Sequence, residues 1–332
     1  MTESRAIPVR EISQTGQVRR AATVLAERMG FDSEETGRVG LVATEAATNL
    51  VKHAQGGEIV LSSVKDAETR AVDIVALDRG PGIRDLDRAM RDGFSTAGGM
   101  GGGLGAIRRN SSHFDLYSAE SGTILFARVG AGPGAPVGGG LDVGAVQVPC
   151  PGEQVSGDAW AVAHHPDRTL VLVADGLGHG ADAHTAAELS VRLFLQHANG
   201  SPASILERIH EGLRPTRGAA AAVLELDKVE RVARFAGIGN IAASVHAAGE
   251  SRSMVSHHGV LGHSLRKIHE FLYPWPPRSL VVLHSDGIGT HWDLGRYPGL
   301  VQRRPAVIAA ALYRDFCRGR DDATAVALRE AA

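Results

Sequence analysis

A glycine- and proline-rich run divides the chain into two parts. It spans 130–140 and reads GAGPGAPVGGG, with no apolar period and no helix-forming stretch. Glycine loosens the backbone and proline removes a backbone donor, so regular structure rarely continues through such a segment. The chain has 332 residues, more than one domain usually has, and 43% of them are hydrophobic, which is ample for packed cores. The sequence therefore predicts two domains, 1–130 and 140–332, joined by a linker at 131–139.

The part before the break has helix-like segments followed by strand-like segments. Apolar residues recur at helical spacing over 18–29 and 39–50, and Asp32 and Ser33 are placed to cap the second helix. Short runs rich in β-branched residues follow at 58–64, 71–77, 114–117 and 123–129. This order predicts an α+β sandwich with the helices on one face of a sheet.

The part after the break is richer in strands. Strand-like runs lie at 159–163, 169–174, 220–226, 231–236, 242–246 and 279–284, and an apolar run at 323–328 is a further strand. Helix-like runs lie at 183–197, 202–213 and 305–316. Many strands with few long helices predict a second α+β unit, with two antiparallel sheets flanked by helices.

Bulk properties exclude several classes of protein. The 35 lysines and arginines nearly balance the 37 aspartates and glutamates, so no global field favours nucleic acid or an anionic membrane. Two cysteines, Cys150 and Cys317, are too few for a disulfide framework or a structural zinc site. The N-terminus lacks a signal pattern, and no stretch approaches the roughly 18 apolar residues of a membrane span. The sequence predicts a cytoplasmic protein without nucleic-acid or membrane partners.

A polar stripe follows one side of the second predicted helix. Glu45, Asn49 and His53 lie at i, i+4 and i+8, beside the apolar face. An asparagine can hold a divalent ion through its amide oxygen, and a glutamate can deprotonate a nucleophile, which is the chemistry that phosphoryl transfer requires. Such spacing also fits an ordinary solvated helix face, so the stripe alone does not decide between the two.

Two glycine motifs follow in the same part of the chain. Asp78 ends an apolar run, where its carboxylate can accept a hydrogen bond from an adenine amino group, and Gly80 and Gly82 then turn the backbone. The second motif has glycine at six of the eight positions in 98–105 and leads into a short apolar helix. Successive glycine amides before a helix can wrap a polyphosphate, although a glycine run by itself also fits a flexible loop.

In this order, the motifs resemble the nucleotide-binding boxes of the GHKL (Bergerat) ATPase and kinase superfamily. The run at 89–96 is similar to the small serine kinases of bacterial partner switching, the anti-sigma and stressosome switch kinases. The resemblance implies that Asn49 holds Mg²⁺, Glu45 activates the substrate hydroxyl and Asp78 reads adenine. It also implies a Ser or Thr substrate on a STAS-domain antagonist protein. The remaining ATP-binding residues that it implies are Gly80, Gly82, Gly101, Gly103, Leu104 and Gly105.

Four acidic motifs occur in the second part of the chain, at Asp158, Asp175, Asp286 and Asp321-Asp322. Three of these places lie at the tips of predicted strands, where neighbouring strand ends of a sheet can converge. Clustered carboxylates repel one another unless a cation neutralises them, and hard oxygen ligands suit Mg²⁺ or Mn²⁺. Two such ions about 3.5–4 Å apart can generate a hydroxide and clamp a phosphoryl group. Singly, each Asp-Gly pair also fits an ordinary turn.

The ordered set resembles the metal-dependent protein phosphatase superfamily, PPM or type 2C, in its bacterial sporulation and stress-response branch. The resemblance implies that Asp158, Asp175, the Gly176 carbonyl, Asp286 and Asp321 hold the metals, with Asp322 as a further ligand. It implies a PPM-type α-β-β-α sandwich after a Bergerat-type α/β sandwich. Eukaryotic relatives have a phosphate-binding arginine upstream and a histidine directly after the Asp-Gly pair. This chain has neither at that place, and His179 comes three residues after Gly176.

These patterns together predict a bifunctional signalling enzyme. It combines an ATP-dependent Ser/Thr kinase with a Mg²⁺- or Mn²⁺-dependent phosphoserine/phosphothreonine phosphatase, both acting on a STAS-type antagonist in phosphorylated and unphosphorylated form. The alternative is an ATP-binding sensor that binds a partner and regulates a phosphatase, which is then the sole catalytic domain. The sequence leaves the oligomeric state open, with a homodimer as one option.

Overall fold

The computed structural model describes residues 3–65, 70–90, 103–130, 140–263 and 267–331. The chain divides into two compact units, one with residues 1–136 and 302–311 and the other with residues 137–301 and 312–332. The predicted linker, 131–139, lies outside the described residues, and the predicted domain boundaries stay predictions. No helix in the described ranges is long and apolar enough to cross a membrane.

The first unit is one antiparallel sheet with helices against it. Its strands lie in the order β1-β2-β3-β5-β4. Their bounds are β1 Ser4–Val9, β2 Gly57–Lys65, β3 Arg70–Leu77, β4 His113–Ala119 and β5 Gly122–Gly130. The helices are α1 Ser13–Arg28, α2 Ser33–Ala54, α3 Leu86–Ala89 and α4 Gly103–Arg109. The predicted α+β arrangement is therefore present, with β1 as a strand that the sequence patterns did not predict.

The helix α2 is the best-specified element of this unit. Asp32 is its N-cap and forms a capping box with Glu35, which satisfies two backbone donors that the first turn leaves free. Its apolar stripe, which includes Val39, Val42 and Ala46, is completely buried against α1 and the sheet. The capping and the apolar spacing predicted this helix, and both are present.

A buried ion pair links the central strands β3 and β5. Arg128 donates from Nε to Asp73 Oδ1 at 2.6 Å and from Nη2 to Asp73 Oδ2 at 2.8 Å. The two side chains are only 7% and 6% exposed. Two bonds between a planar guanidinium and a carboxylate satisfy both charges in a place that water does not reach.

Replacing Asp73 with asparagine is expected to lower the free energy of unfolding of this unit by about 3 kcal/mol or more, because the buried Arg128 loses the charge of Asp73. Calorimetry of the full chain measures the effect on the melting transition of the first unit, which is identified as the one whose melting temperature changes when ATP is added. Glu3→Gln is the control, since it breaks an exposed pair with Arg28 and should cost less than about 1 kcal/mol. Equal losses in the two variants would contradict this account of the pair.

The second unit contains two five-stranded antiparallel sheets, in the orders β13-β10-β9-β8-β7 and β12-β11-β14-β15-β6. Its strands are β6 Leu141–Val148, β7 Asp158–His164, β8 Arg168–Gly176, β9 Ala219–Asp227, β10 Val232–Ile238, β11 Ala242–Ala247, β12 Glu250–Met254, β13 Phe271–Pro274, β14 Leu280–His284 and β15 Ala323–Glu330. The helices are α5 Ala181–Gln196, α6 Pro202–Leu213 and α7 Pro305–Phe316. The residues of α7 up to 311 are assigned to the first unit and those from 312 to the second.

Two apolar layers hold the second unit together. One lies between the sheets and includes Val173, Phe235, Trp275 and Leu283. The other lies between the β7–β10 sheet and the helices α5 and α6, with Phe194 among its buried residues. Because both faces of β8 and β9 are covered, their sequences are nearly continuous apolar runs. The strands β6, β12 and β13 were not predicted from the sequence.

Candidate functional site

The helix α2 carries the first group of candidate residues. Glu45 and Asn49 are half-buried on it, whereas His53 is exposed one turn further on. Among the described residues, the side-chain amide nitrogen of Asn49 is buried and has no hydrogen-bond partner. A buried amide without a partner is costly, so its presence beside Glu45 fits a place where a bound ligand completes the contacts.

The predicted adenine-reading carboxylate lies at the end of β3, largely buried. Asp78 accepts hydrogen bonds at Oδ1 from the backbone amides of Gly80, at 2.8 Å, and Thr123, at 3.0 Å. These bonds fix the rotamer of the carboxylate. A side chain at Gly80 would lie 2.9 Å from the Cα of Ala54, so the turn after Asp78 packs tightly against the end of α2. The adenine candidate and the Glu45 helix are therefore neighbours.

Gly82 shows why the turn needs glycine. Its φ is +70°, and an added Cβ would lie 2.2 Å from the carbonyl oxygen of Ala119. No other residue fits that combination of conformation and contact. Of the predicted polyphosphate loop, Gly101 lies outside the described residues. Gly103, Leu104 and Gly105 begin α4, and Leu104 packs against the core cluster of this unit.

The acidic residues of the second unit come from both sheets. Asp158 begins β7 and faces Asp175, near the end of β8, as its direct antiparallel partner. Asp286 follows β14, and Asp321 and Asp322 precede β15. A hydrogen bond of 2.6 Å from the Ser285 hydroxyl to Asp158 Oδ2 joins the two sheets at this point. The structure therefore places Asp158 beside Asp175 and joins Asp158 to the residue before Asp286.

Protein donors orient several of these carboxylates. Ser285 Oγ also accepts from the backbone amide of Thr324, at 3.0 Å. The backbone amide of Cys150 donates to Asp322 Oδ1, at 2.8 Å. The side-chain amide of Asn240 donates to Asp286 Oδ2, at 2.7 Å. The bonds to Asp322 and Asp286 each use one carboxylate oxygen, whereas the Thr324 amide holds the Ser285 hydroxyl that donates to Asp158.

Burial and mutual repulsion raise the pKa of three of the carboxyls. Burial, followed by the charges of Asp158 and Asp286, raises the pKa of Asp175 from 3.8 to about 9. Burial raises the pKa of Asp158 to about 7 against the opposing hydrogen bond from Ser285. Burial also raises the pKa of Asp322. The protein alone therefore disfavours the ionised forms, and a cation at this place would reverse that preference.

The donor set fits a hard divalent cation. Asp158 Oδ1 and Asp322 Oδ2 are buried oxygens that have no hydrogen-bond donor in the described part of the chain. As the side chains stand, no group of three or more His, Cys, Asp or Glu in the described ranges is close enough to hold a metal. The two oxygens without a protein donor are the ones that a cation at this place could use without displacing a protein hydrogen bond. Oxygen ligands of this kind suit Mg²⁺ and Mn²⁺.

Gly176, the predicted carbonyl ligand, is the last residue of β8 and pairs with Ala219 of β9. Its backbone amide donates to the carbonyl oxygen of Gly157, at 2.9 Å. An added Cβ would lie 2.1 Å from the carbonyl oxygen of Ala183, so glycine is required for α5 to pack beside the carboxylates. This contact ties the start of α5 to the acidic residues.

Two contacts at this place were not assigned from the sequence. Asn240 lies between β10 and β11, and its bond to Asp286 depends on the neighbouring end of another strand, β14. His179 forms a pair with Glu153, 2.7 Å from Nδ1 to Oε1, on the exposed side of the loop after Asp175. In both cases the partner is far away in sequence, and no spacing rule connects the two residues.

The first unit, with its turn at Asp78 and its helix bearing Glu45 and Asn49, has the features of a GHKL-type ATP-binding domain. The second unit is a two-sheet sandwich with buried aspartates from both sheets, which defines a PPM-type protein serine/threonine phosphatase domain. Family comparison agrees: a histidine kinase-like ATPase domain matches residues 9–129, and the stage II sporulation protein E (SpoIIE) family matches residues 165–330. The chain therefore belongs to the RsbT-like kinase family through its first domain and to the SpoIIE phosphatase family through its second.

Individual relatives support the same division. The serine/threonine-protein kinase RsbT of Bacillus subtilis is 38% identical over 104 residues, which are 31% of this chain and 78% of RsbT. The phosphoserine phosphatase RsbX of the same organism is 26% identical over 138 residues, 41% of this chain and 69% of RsbX. A crystal structure of RsbX with magnesium has the same fold, with a TM-score of 0.53 at 22% identity, covering 57% of this chain and 96% of that one.

These findings confirm the prediction of both families and of the α+β fold class. They also confirm ATP and Mg²⁺ or Mn²⁺ as the cofactors of these two families. One named relative is a serine/threonine-protein kinase and the other is a phosphoserine phosphatase. The chain thus combines in one polypeptide a kinase-like and a phosphatase domain that resemble two separate proteins.

Proposed function

We propose that the chain adds phosphate to, and removes it from, a serine or threonine of one STAS-domain antagonist protein. The observation that carries the proposal is the presence, in one chain, of an RsbT-like ATP-binding domain and a SpoIIE-like phosphatase domain in which Asp158 and Asp175 lie opposite each other. Two opposed activities in one polypeptide give a switch whose output depends on which site is favoured. The cytoplasmic location expected from the sequence stays a prediction.

For the kinase reaction, Glu45 is the proposed base that takes the proton from the substrate hydroxyl. Asn49, one turn along α2, supplies its amide oxygen to Mg²⁺, and its buried amide nitrogen gains a partner when nucleotide is bound. Asp78 accepts a hydrogen bond from the adenine amino group, and Gly80 and Gly82 let the backbone pass beneath the base. Gly101, Gly103, Leu104 and Gly105 complete the proposed ATP site.

For the phosphatase reaction, Asp158, Asp175, Asp286 and Asp321 are the proposed metal ligands, with Asp322 and the Gly176 carbonyl as further ones. A bound divalent ion supplies Lewis acidity and an activated water. The protein contributes the arrangement: Ser285 and Asn240 orient Asp158 and Asp286, and the Cys150 amide orients Asp322.

Replacing Asp78 with asparagine is expected to weaken ATP binding by about ten-fold or more, equivalent to about 1.4 kcal/mol. An asparagine keeps an Oδ1 acceptor for the amides of Gly80 and Thr123, but it presents an NH₂ donor to the adenine amino group in place of an acceptor. Isothermal titration of the full chain with ATP and Mg²⁺ measures the loss. Asp85→Asn is the control, because Asp85 only caps the short helix α3. Unchanged affinity in Asp78→Asn would contradict the proposed role.

The direct test of the proposal is transfer of labelled phosphate from ATP to a STAS-domain protein encoded beside this chain, followed by its release. If label is transferred to the partner but not released from it, only the kinase activity is supported. If the protein removes phosphate from a partner phosphorylated beforehand but transfers none from ATP, the phosphatase is the sole enzyme and the first domain is a sensor.

A further inference from the structure

The phosphatase site described above supplies negative charge, and a phosphorylated substrate adds more. Metal ions would neutralise part of this negative charge. Eukaryotic relatives of the phosphatase superfamily also have a phosphate-binding arginine upstream of the acidic motifs, and this chain has none at that place. A positively charged side chain from another element can supply this contact, and the loop that follows Asp175 has such a neighbour. The loop at 176–180 connects β8 to α5.

The backbone around this loop places residue 217 next to it. Gly176 is the antiparallel partner of Ala219 at the start of β9, and the amide of Leu177 donates to the carbonyl oxygen of Gly218, at 3.0 Å. Gly218 has φ of +82°, and a Cβ there would lie 2.5 Å from the carbonyl oxygen of Leu261. The segment before β9 is thus fixed against the loop that begins with a proposed metal ligand.

The side chain of Arg217 extends along the same loop. A Cβ added at Gly178 would lie 3.5 Å from its Nη1, which shows that the guanidinium lies beside the middle of the loop. Its Nη2 forms an ion pair of 2.6 Å with Asp182, in the first turn of α5. The carbonyl oxygen of Arg217 also lies 2.8 Å from Nε2 of His263. The backbone is therefore held, whereas the charged end remains about half exposed.

We propose that Arg217 binds the phosphate group of the phosphorylated substrate at the phosphatase site, and that Asp182 holds the guanidinium in position when no substrate is bound. The proposal rests on the proposed function, because it names the side chain that grips the phosphoserine or phosphothreonine of that substrate. A planar guanidinium forms two parallel hydrogen bonds to phosphate oxygens, which a lysine cannot reproduce. Arg217 comes from the segment before β9, so the binding element differs from the upstream one of eukaryotic relatives.

Asp182 is suited to a temporary partner. Both members of the pair are exposed, 54% for Arg217 and 66% for Asp182, and exposed ion pairs contribute little to stability. A phosphate dianion beside bound metal ions would therefore displace Asp182 from the guanidinium. A similar pair, Arg208 with Glu211, lies within α6 with both side chains 60% exposed, so it provides a matched control.

The test compares Arg217→Gln, Arg217→Lys and the control Arg208→Gln in the full chain with Mg²⁺. We expect Arg217→Gln to raise KM for a phosphoserine peptide about 10- to 100-fold, the range for losing a charge-assisted hydrogen-bonded contact. Arg217→Lys should recover part of this loss, and Arg208→Gln should match the wild type. An unchanged KM in Arg217→Gln, or an equal rise in Arg208→Gln, would overturn the proposal.

Titration of the Mg²⁺-loaded protein with inorganic phosphate separates this proposal from the proposed function. We expect phosphate affinity to fall in Arg217→Gln by the same factor as KM rises, while the shift in melting temperature caused by Mg²⁺ stays unchanged. If the wild type transfers no phosphate from ATP yet phosphate affinity depends on Arg217, the kinase proposal fails and this one stands. If Arg217→Gln loses the Mg²⁺ shift, or Asp182→Asn raises KM ten-fold as well, Arg217 is structural and the proposal is wrong.

Discussion

Replacing Asp175 with asparagine is expected to abolish phosphate hydrolysis and, at the same time, to raise the thermal stability of the metal-free protein. The loss of activity should be about 1,000-fold or more, because a bound cation supplies several kcal/mol of charge stabilisation and about 1.4 kcal/mol is a factor of ten. The wild type should show hydrolysis that depends on Mg²⁺ or Mn²⁺ and stops when a chelator is added.

The gain in stability follows from the position of Asp175. Its carboxyl is largely withdrawn from water and faces Asp158 across the β7–β8 pair, which raises its pKa to about 9. Above the ordinary pKa of an aspartate, the metal-free protein must therefore take up a proton at Asp175 when it folds, and a neutral amide of the same shape avoids that cost. In chelator, we expect the phosphatase unit of Asp175→Asn to melt at least about 2 °C above the wild type, equivalent to about 1 kcal/mol for a unit of this size.

Added metal should reverse the order. Calorimetry with saturating Mn²⁺ should raise the melting temperature of the wild type, because a ligand that binds only the folded state stabilises it. Asp175→Asn should gain much less. Asp227→Asn is the control, since Asp227 lies at the opposite end of the same sheet and caps a turn through Oδ1, which asparagine retains. A metal-free Asp175→Asn protein that is less stable than the wild type would contradict the account of the carboxylate cluster.

Replacing Glu45 with glutamine should remove phosphate transfer while leaving ATP binding intact. A general base contributes about 10²- to 10⁴-fold to a rate, so transfer of label from ATP to the partner should fall by at least 10²-fold. Glu45 lies on α2 beside the apolar stripe and is half-buried, and a glutamine of the same shape keeps this packing. Titration with ATP should give the same affinity as the wild type.

The control for this variant is Glu34→Gln, an exposed glutamate in the first turn of the same helix. It should transfer label at the rate of the wild type. If Glu45→Gln also transfers label at that rate, Glu45 is not the base. If the wild type labels no STAS-domain partner at all, the first domain is an ATP-binding sensor and the phosphatase is the sole enzyme.

The sequence predicted the strands at the centre of each sheet better than those at the edges. All four strands that it missed, β1, β6, β12 and β13, are edge strands. Two of them give little pattern to detect: β12 reads ESRSM and is mostly exposed, and β13 has four residues, FLYP, of which the last is proline. Strands buried on both faces, such as β8 and β9, are long apolar runs, and this pattern is sufficient to predict them from the sequence.

The same limit applies to the candidate sites. Residues joined by local spacing, such as Glu45 with Asn49 on one helix, were predicted because helical geometry places them together. The acidic motifs were predicted as strand tips, and the register that pairs Asp158 with Asp175 agrees. Contacts between distant segments, such as Asn240 with Asp286, required the paired strands and could not be derived from spacing.

The central claim is that one chain adds and removes phosphate on the same partner, and a single time course tests it most directly. The protein is incubated with Mg²⁺, a limiting amount of ATP labelled at the γ-phosphate and a STAS-domain protein encoded beside it. We predict that label on the partner rises and then falls in the wild type, rises and stays in Asp175→Asn, and never appears in Glu45→Gln. Label that persists in the wild type, or that falls equally in Asp175→Asn, would contradict the account.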